Sequence, residues 1–510
     1  MLRYSLKILL IVLLTVTYVG CGSTEDPDAD NTNTVNVDPG NVDPGNVDPG
    51  NVDPGNVDPG NVDPGNDDPG NDDPGNDDPG NDDPGNDDPG NIDPGNDDPP
   101  GELLMGSQSR DESPDVDEEG FAQFSADNRD FAFSMLGTLQ EEEGDDENLF
   151  LSPHSISLAL AMTYAGSKEN TRDQMAEALH FLLDDDELHP AFNKLDQELA
   201  TRADFEPQDS DDVAFDLDIV NQTWGHHSFP FLDDYLELLA MHYGAGMYSV
   251  DFVNDYEEIR QGINKWVEDQ TNERIEDLLP EQSLTEYTRF VLVNAIYFFG
   301  SWQTTFSEIL TTDADFTRID DSTTTIPMMR HEEPINTGYY AEDGTVAVTL
   351  PYVGGDVSML AMMPADEDTD FLQWEADFGR QQFDAAVAGL TTMTGYVFFP
   401  KFEDEGDFDL RSPFEALGME DAFESSLADF TGMYDDSQGD NLYISDIFHK
   451  SFISVDEEGT EAAAATAVVA GDDSAPMIDF EVRFHRPFYY VIYDHPTDTI
   501  LFLGRMVDPS

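Results

Sequence analysis

From Asn36 to Pro100 the sequence is thirteen successive pentapeptides, Asn-Val-Asp-Pro-Gly drifting to Asn-Asp-Asp-Pro-Gly and closing as Asn-Asp-Asp-Pro-Pro. A tract of this kind has too few apolar residues to bury a core, and each Pro-Gly step favours turn or extended backbone. It reads as a tether, at most roughly 200 Å long when fully extended. Its aspartates lack the glycine and closing glutamate of a known calcium loop, so calcium binding is not expected of them. Residues 101 to about 120 continue acidic and read as structureless. Whatever folds must therefore come from Phe121 to Ser510, where the composition becomes that of one globular body without a second low-complexity break.

The chain carries 110 acidic against 21 basic residues, a formal charge of -89. This excess argues against nucleic acid, heparin-like polyanions and anionic lipid surfaces as partners, and otherwise speaks to solubility. Cys21 is the only cysteine, so neither an intramolecular disulfide nor a cysteine-rich metal site can form. Arg3 and Lys7 precede an apolar run from Ile8 to Val19, too short for a comfortable membrane span and shaped like a secretory signal. The run ends in Tyr18-Val19-Gly20-Cys21, which resembles a bacterial lipobox apart from Tyr18, where leucine is usual. That resemblance implies a signal peptide over residues 1–21, lipidation of Cys21 and a disordered tether over 22–120. A membrane-anchored protein of the cell surface or periplasm is expected, or an extracellular one if Cys21 stays unmodified.

Helical periodicity runs through Phe131 to Leu139, Ile156 to Tyr164, Gln174 to Leu183 and Ile259 to Leu279. Strand-like runs are Phe290 to Phe299, Thr345 to Leu350, Val357 to Met363, Gly395 to Phe399, Tyr489 to Tyr493 and Thr499 to Leu503. Helices and strands in this irregular order suggest an α+β architecture around a large, mostly antiparallel sheet. One segment has two readings. Gly459-Thr460-Glu461-Ala462-Ala463-Ala464-Ala465-Thr466-Ala467-Val468-Val469 looks helical by alanine content. Read at period two, Thr460, Ala462, Ala464, Thr466 and Val468 form one small uncharged face that a sheet interior could accept.

Seven phrases, taken together and in order, resemble the serpin family. They are Asn148-Leu149-Phe150-Leu151-Ser152-Pro153-His154-Ser155-Ile156-Ser157, Ile263-Asn264-Lys265-Trp266-Val267 with Gln270-Thr271-Asn272, and Leu292-Val293-Asn294-Ala295-Ile296-Tyr297-Phe298 with Trp302. Leu350-Pro351-Tyr352, Phe399-Pro400-Lys401-Phe402, the segment around Gly459 and Arg486-Pro487-Phe488 complete the set. His485 departs from the family's usual asparagine or aspartate, which touches only local packing. The resemblance covers residues 121–510 and implies a serpin fold, in which an exposed reactive loop inserts into the central sheet after cleavage.

The resemblance also assigns residues. Glu457, Gly459, Thr460, Glu461, Ala462, Ala463, Ala464, Ala465 and Thr466 become the loop hinge, and its small residues favour a working inhibitor. Counting from Glu457 by the family's spacing puts the attacked carbonyl at Asp473 with Ser474 following. Asp472 and Ala475 are secondary cleavage points, and Met477 before Ile478 is the apolar alternative should the aspartates merely share the chain's acidic bias. Ser155, Asn294 and His449, with Ser152 close by, match the polar cluster beneath the opening of the sheet. Trp302, Lys401 and Glu457 match the site where the loop first enters, with a Lys401 to Glu457 ion pair.

The expected partner is a serine or cysteine endopeptidase of the cell exterior or periplasm, met by a monomer. An aspartate before the cut would need a protease with a basic pocket. A serpin that does not inhibit and serves as a surface binding module is the alternative. Catalysis is not expected, since the chain has neither a Gly-x-Ser-x-Gly elbow nor a His-Glu-x-x-His zinc motif. Neighbouring His226 and His227 could ligate a metal but read as exposed loop histidines, and no metal or cofactor is expected.

Overall fold

A computed structural model describes residues 99–204, 215–438, 441–460 and 477–510. Among the described residues strand β1 (Glu102–Leu104) comes first, followed by helix α1 (Glu118–Glu143), whose start is fixed by Asp117 accepting from Gly120 N. Buried β2 (Leu149–Leu151) leads into α2 (Pro153–Tyr164), which has Ser152 as its cap and a proline in its first turn, where no hydrogen bond is lost. Helices α3 (Glu169–Ala178) and α4 (Asp185–Ala200) follow, then β3 (Phe215–His226) and α5 (Asp233–Tyr243). Gly244, at φ 60°, ends α5 in the left-handed conformation glycine tolerates. Next come β4 (Met247–Val250), α6 (Phe252–Gln270) and β5 (Phe290–Ser301).

The second half is richer in strands: β6 (Thr312–Thr317), β7 (Thr323–Arg330), β8 (Ile335–Glu342), β9 (Thr345–Pro351) and β10 (Val357–Pro364). After α7 (Phe371–Asp377) and α8 (Arg380–Gly389) come β11 (Thr391–Pro400) and β12 (Phe402–Asp409). Helix α9 (Arg411–Ala416) precedes β13 (Ile447–Val455) and the two-residue β14 (Gly459–Thr460). Strands β15 (Phe480–Arg483), β16 (Phe488–Asp494) and β17 (Thr499–Met506) close the chain.

Two sheets result. One has the order β1-β4-β3-β5-β14-β13-β12; the other runs β2-β17-β16-β10-β9-β8-β11-β7-β6, with β15 paired to β11. In the first sheet β3 pairs with β4, and β13 with β5, in parallel; its remaining pairings are antiparallel. Strand β5 shows why that sheet is central. Its Val291, Val293 and Ala295 face α6 and pack with Ile259, Ile263 and Val267, while Leu292, Ile296 and Phe298 join the main core on the opposite face. This period-two division buries the strand on both faces, so its sequence reads as an almost unbroken apolar run.

The reading of residues 101 to about 120 as structureless is overturned. Strand β1 pairs with the edge strand β4, and the Trp224 indole donates to Pro100 O at 3.0 Å. Glu237 accepts from Ser107 and Gln108, while Arg110 reaches Asn193 and Asp196. Acidic composition hid the segment because its bonding partners lie far away in sequence. The helical expectations past Ala178 and Gln270 also ran too far, since α3 and α6 end there. Among the described residues no helix is long and apolar enough to cross a membrane.

Candidate functional site

The parallel pair β5 and β13 is in register from Leu292 opposite Ile447 to Tyr297 opposite Phe452. Above that point the two strands part. Gly459 and Thr460 of β14 sit between them, antiparallel to both, with Thr460 opposite Gly300 on one side and Val455 on the other. The sheet is thus closed along most of the pair and held open at one end by two residues.

The open end is fastened by a tight turn. Asp456 Oδ1 accepts from Glu458 N at 2.9 Å and Gly459 N at 3.2 Å, and Asp456 N donates to Gly459 O at 2.9 Å. The Trp302 indole donates to Asp456 O, and its backbone N–H to Glu458 O, both at 2.9 Å. Trp302 stacks on Tyr352 with ring centres 4.7 Å apart. The wholly buried Tyr352 hydroxyl shares a 2.9 Å hydrogen bond with Thr460 Oγ1. Lys401 Nζ lies 2.8 Å from Glu457 Oε2, and Thr311 Oγ1 donates to Glu457 Oε1 at 2.7 Å. Burial pushes the Glu457 carboxyl upward, but the bonds from Lys401 and Thr311 outweigh it and hold the group below its ordinary value. The structure therefore brings Trp302, Lys401, Glu457, Gly459 and Thr460 to one place. Thr311, Tyr352 and Asp456 complete it; of these the sequence marked only Tyr352, inside a family phrase and without a role at the site.

A second cluster lies under the closed part of the pair. Asn221 of β3, Asn294 of β5 and His449 of β13 stand in one row across three strands. Ser155 of α2 approaches the row from the core side, and Asn294 Nδ2 donates to Ser155 Oγ at 2.5 Å and also to Asn221 Oδ1. His449 Nδ1–H donates to Asn294 Oδ1, while its Nε2 accepts from Ser152 N at 3.1 Å. Ser152 Oγ turns away to Leu501 O at 2.7 Å. Burial drives the His449 pKa down to about 3, so the ring is neutral and this donor and acceptor pattern is the one it keeps. Asn221 was missed. Nothing in Ile219-Val220-Asn221-Gln222 marks it; its position opposite Asn294 appears only once the strands are paired.

His226 corrects an earlier expectation. It is the last residue of β3, 5% exposed, and not an exposed loop histidine. Glu461, Ala462, Ala463, Ala464, Ala465 and Thr466 of the hinge, Asp473 and Ser474 of the expected reactive bond, and Cys21 lie outside the described residues.

Residues 126–509 match the family model described as serpin (serine protease inhibitor). A leukocyte elastase inhibitor from Sus scrofa is 37% identical over 393 residues, covering 76% of this chain and 100% of that protein. Serpin B8 from Homo sapiens is 36% identical over 386 residues, covering 75% and 98%. Among solved structures, the native state of the thermophilic serpin tengpin is similar with a TM-score of 0.66 and 28% identity, over 79% of this chain and 97% of that one.

Proposed function

The chain belongs to the serpin family, and on that premise we propose that it traps proteases outside the cytoplasm by completing the strand that β14 begins. It is an inhibitor of serine proteases. The single observation that carries the mechanism is the pairing sense at the open end: β5 and β13 are parallel to each other, whereas β14 is antiparallel to both. A strand continuing from Thr460 would replace one parallel ladder by two antiparallel ones, which are more stable per residue.

The register of that strand follows by continuation. Thr460 opposes Gly300 and Val455, so Ala462, Ala464, Thr466 and Val468 would oppose Phe298, Ile296, Asn294 and Leu292 on the core face. Thr466 would arrive in the row of Asn294 and His449 and could take up hydrogen bonds released there. Alanine at 462 and 464 suits a face already filled by Phe298 and Ile296, which are almost fully buried. A protease serine Oγ would attack the carbonyl carbon of Asp473 and expel the amine of Ser474. Insertion of about fifteen residues would then carry the acyl-enzyme about 50 Å before water completes hydrolysis. Loss of the protease's oxyanion-hole geometry would make the ester persist. The aspartate directs the loop to enzymes with a basic pocket, and a cysteine protease could enter the same trap through a thioester.

The short apolar run, the single Cys21 and the repeat tract support a lipid-anchored location with the inhibitor body held off the membrane. The deciding experiment incubates the purified protein with proteases of acidic, basic and apolar preference. A complex stable to denaturant, and a released peptide beginning at Ser474 by mass spectrometry, are expected from an acid-specific enzyme. Cleavage without such a complex in every class would replace inhibition by the binding-module reading.

A further inference from the structure

We propose that His226, His227 and Asp251 form a site for a divalent transition metal, of the zinc, cobalt or nickel class, where α6 begins. One ligand atom from each lies within 4.8 Å of the others. Consecutive residues of a strand point to opposite faces, which would separate two adjacent histidines. Here β3 ends at His226 and the chain turns at His227, so the two rings lie together, 4.6 Å between centres and 28° from coplanar.

The surroundings are those of a ligand set. His226 Nδ1–H donates to Val250 O at 3.2 Å, which leaves the lone pair on Nε2 and orients the ring, as metal-bound histidines are oriented by a carbonyl at the second nitrogen. His227 N donates to Val250 O at 2.8 Å, so one carbonyl positions both residues. Asp251 is held as the cap of α6, with Oδ1 accepting from Val253 N and Asn254 N and Oδ2 from Asn254 Nδ2 at 2.7 Å. His227 Nδ1 is 4.0 Å from Asp251 Oδ2 and its side chain is half exposed, so it can swing onto an ion. Tetrahedral coordination at about 2.0 to 2.1 Å places donors about 3.4 Å apart, a closure of little more than 1 Å. Two imidazoles and a carboxylate select borderline transition metals over calcium or magnesium, and water would fill the remaining position.

An ion there would join the end of β3 to the start of α6. Because Ile259, Ile263 and Val267 of α6 cover one face of the central sheet, binding should brace that layer. The site stands whether or not the protein traps proteases. Its test is a Co2+ titration of the metal-free full chain, followed by visible absorption and by thermal unfolding with Zn2+. The parent should develop the intense band of tetrahedral Co2+, lost on adding Zn2+, and should melt higher with Zn2+ than without. His227→Ala and Asp251→Asn, the second retaining a capping residue, should each weaken Co2+ binding by at least about tenfold and abolish the Zn2+ shift. Only the faint spectrum of octahedral Co2+ on surface carboxylates, or unchanged binding in both variants, would overturn the site.

Discussion

The two clusters along β5 are built on opposite terms. At the open end, Lys401 and Glu457 form an ion pair whose lysine side chain is 44% exposed and whose carboxylate is almost covered. Under the closed pair, Asn221, Asn294, His449, Ser152 and Ser155 make a network with no formal charge, in which Asn294 and His449 are almost wholly buried. A fastening that only anchors the base of the loop can use charge, because water on the lysine side lowers the desolvation cost. A row that an incoming strand must cross cannot, because an ion left unpaired there would cost several kcal/mol. Neutral donors and acceptors can change partners at about 1 kcal/mol each.

The largest expected effect comes from violating the neutral region's rule. Ala464→Arg would bring a guanidinium opposite Ile296 on the core face, and the yield of denaturant-stable protease complex should fall at least about tenfold while cleavage continues. Electrophoresis of reaction mixtures reads both quantities, and undiminished trapping would refute insertion in this register.

Next is the row itself. His449→Phe leaves Ser152 N without an acceptor and Asn294 Oδ1 without its donor, which should cost about 2 to 4 kcal/mol in denaturant unfolding. The same residue sets a pH response. Its folded pKa, near 3 because of burial, lies below the ordinary 6.5, so it contributes stability that is complete above pH 6.5 and lost as pH falls towards 3. Asp404 opposes this trend. Burial raises its carboxyl to about 7, so its stabilising contribution is present at low pH and lost as pH rises through 7. Buried His154, His189 and His331 share the direction of His449. In an Asp404→Asn background the melting temperature should therefore climb from pH 4 to 6.5, and adding His449→Phe should make that climb shallower. An unchanged slope would remove His449 from the account.

The smallest effect belongs to the open end. Glu457→Gln keeps the hydrogen-bonding outline but deletes the charge, and should cost about 1 kcal/mol. That loss should shrink in high salt, whereas the loss in His449→Phe should not. Equal salt sensitivity of the two variants would break the contrast between the clusters.

How much of this was legible follows from the same physics. Strands β5, β9, β10, β16 and β17 were visible because burial on both faces writes a continuous apolar run. Strand β12 was not, although its exposures alternate without exception, because Glu403, Glu405, Asp407 and Asp409 on its outer face look like another acidic stretch. Ser155 and Asn294 could be matched through the phrases that contain them, and His449 through the resemblance to the family's polar cluster. Asn221 and Thr311 could not, since their roles exist only in strand register and in a contact spanning 146 residues. Strand β1 escaped for a related reason, being held by an edge and an indole more than a hundred positions away.

That first strand has a mechanical consequence. Pro100 closes the repeat tract, so a load applied through that tract would meet first the hydrogen bond between Pro100 O and the Trp224 indole and then the three residue pairs of β1 and β4. Strand β1 lies at the rim of the sheet, with β4 and β3 between it and β5. If the repeat tract is the tether proposed above, a pull on it would strip this short outer ribbon before it strained the seam between β5 and β13.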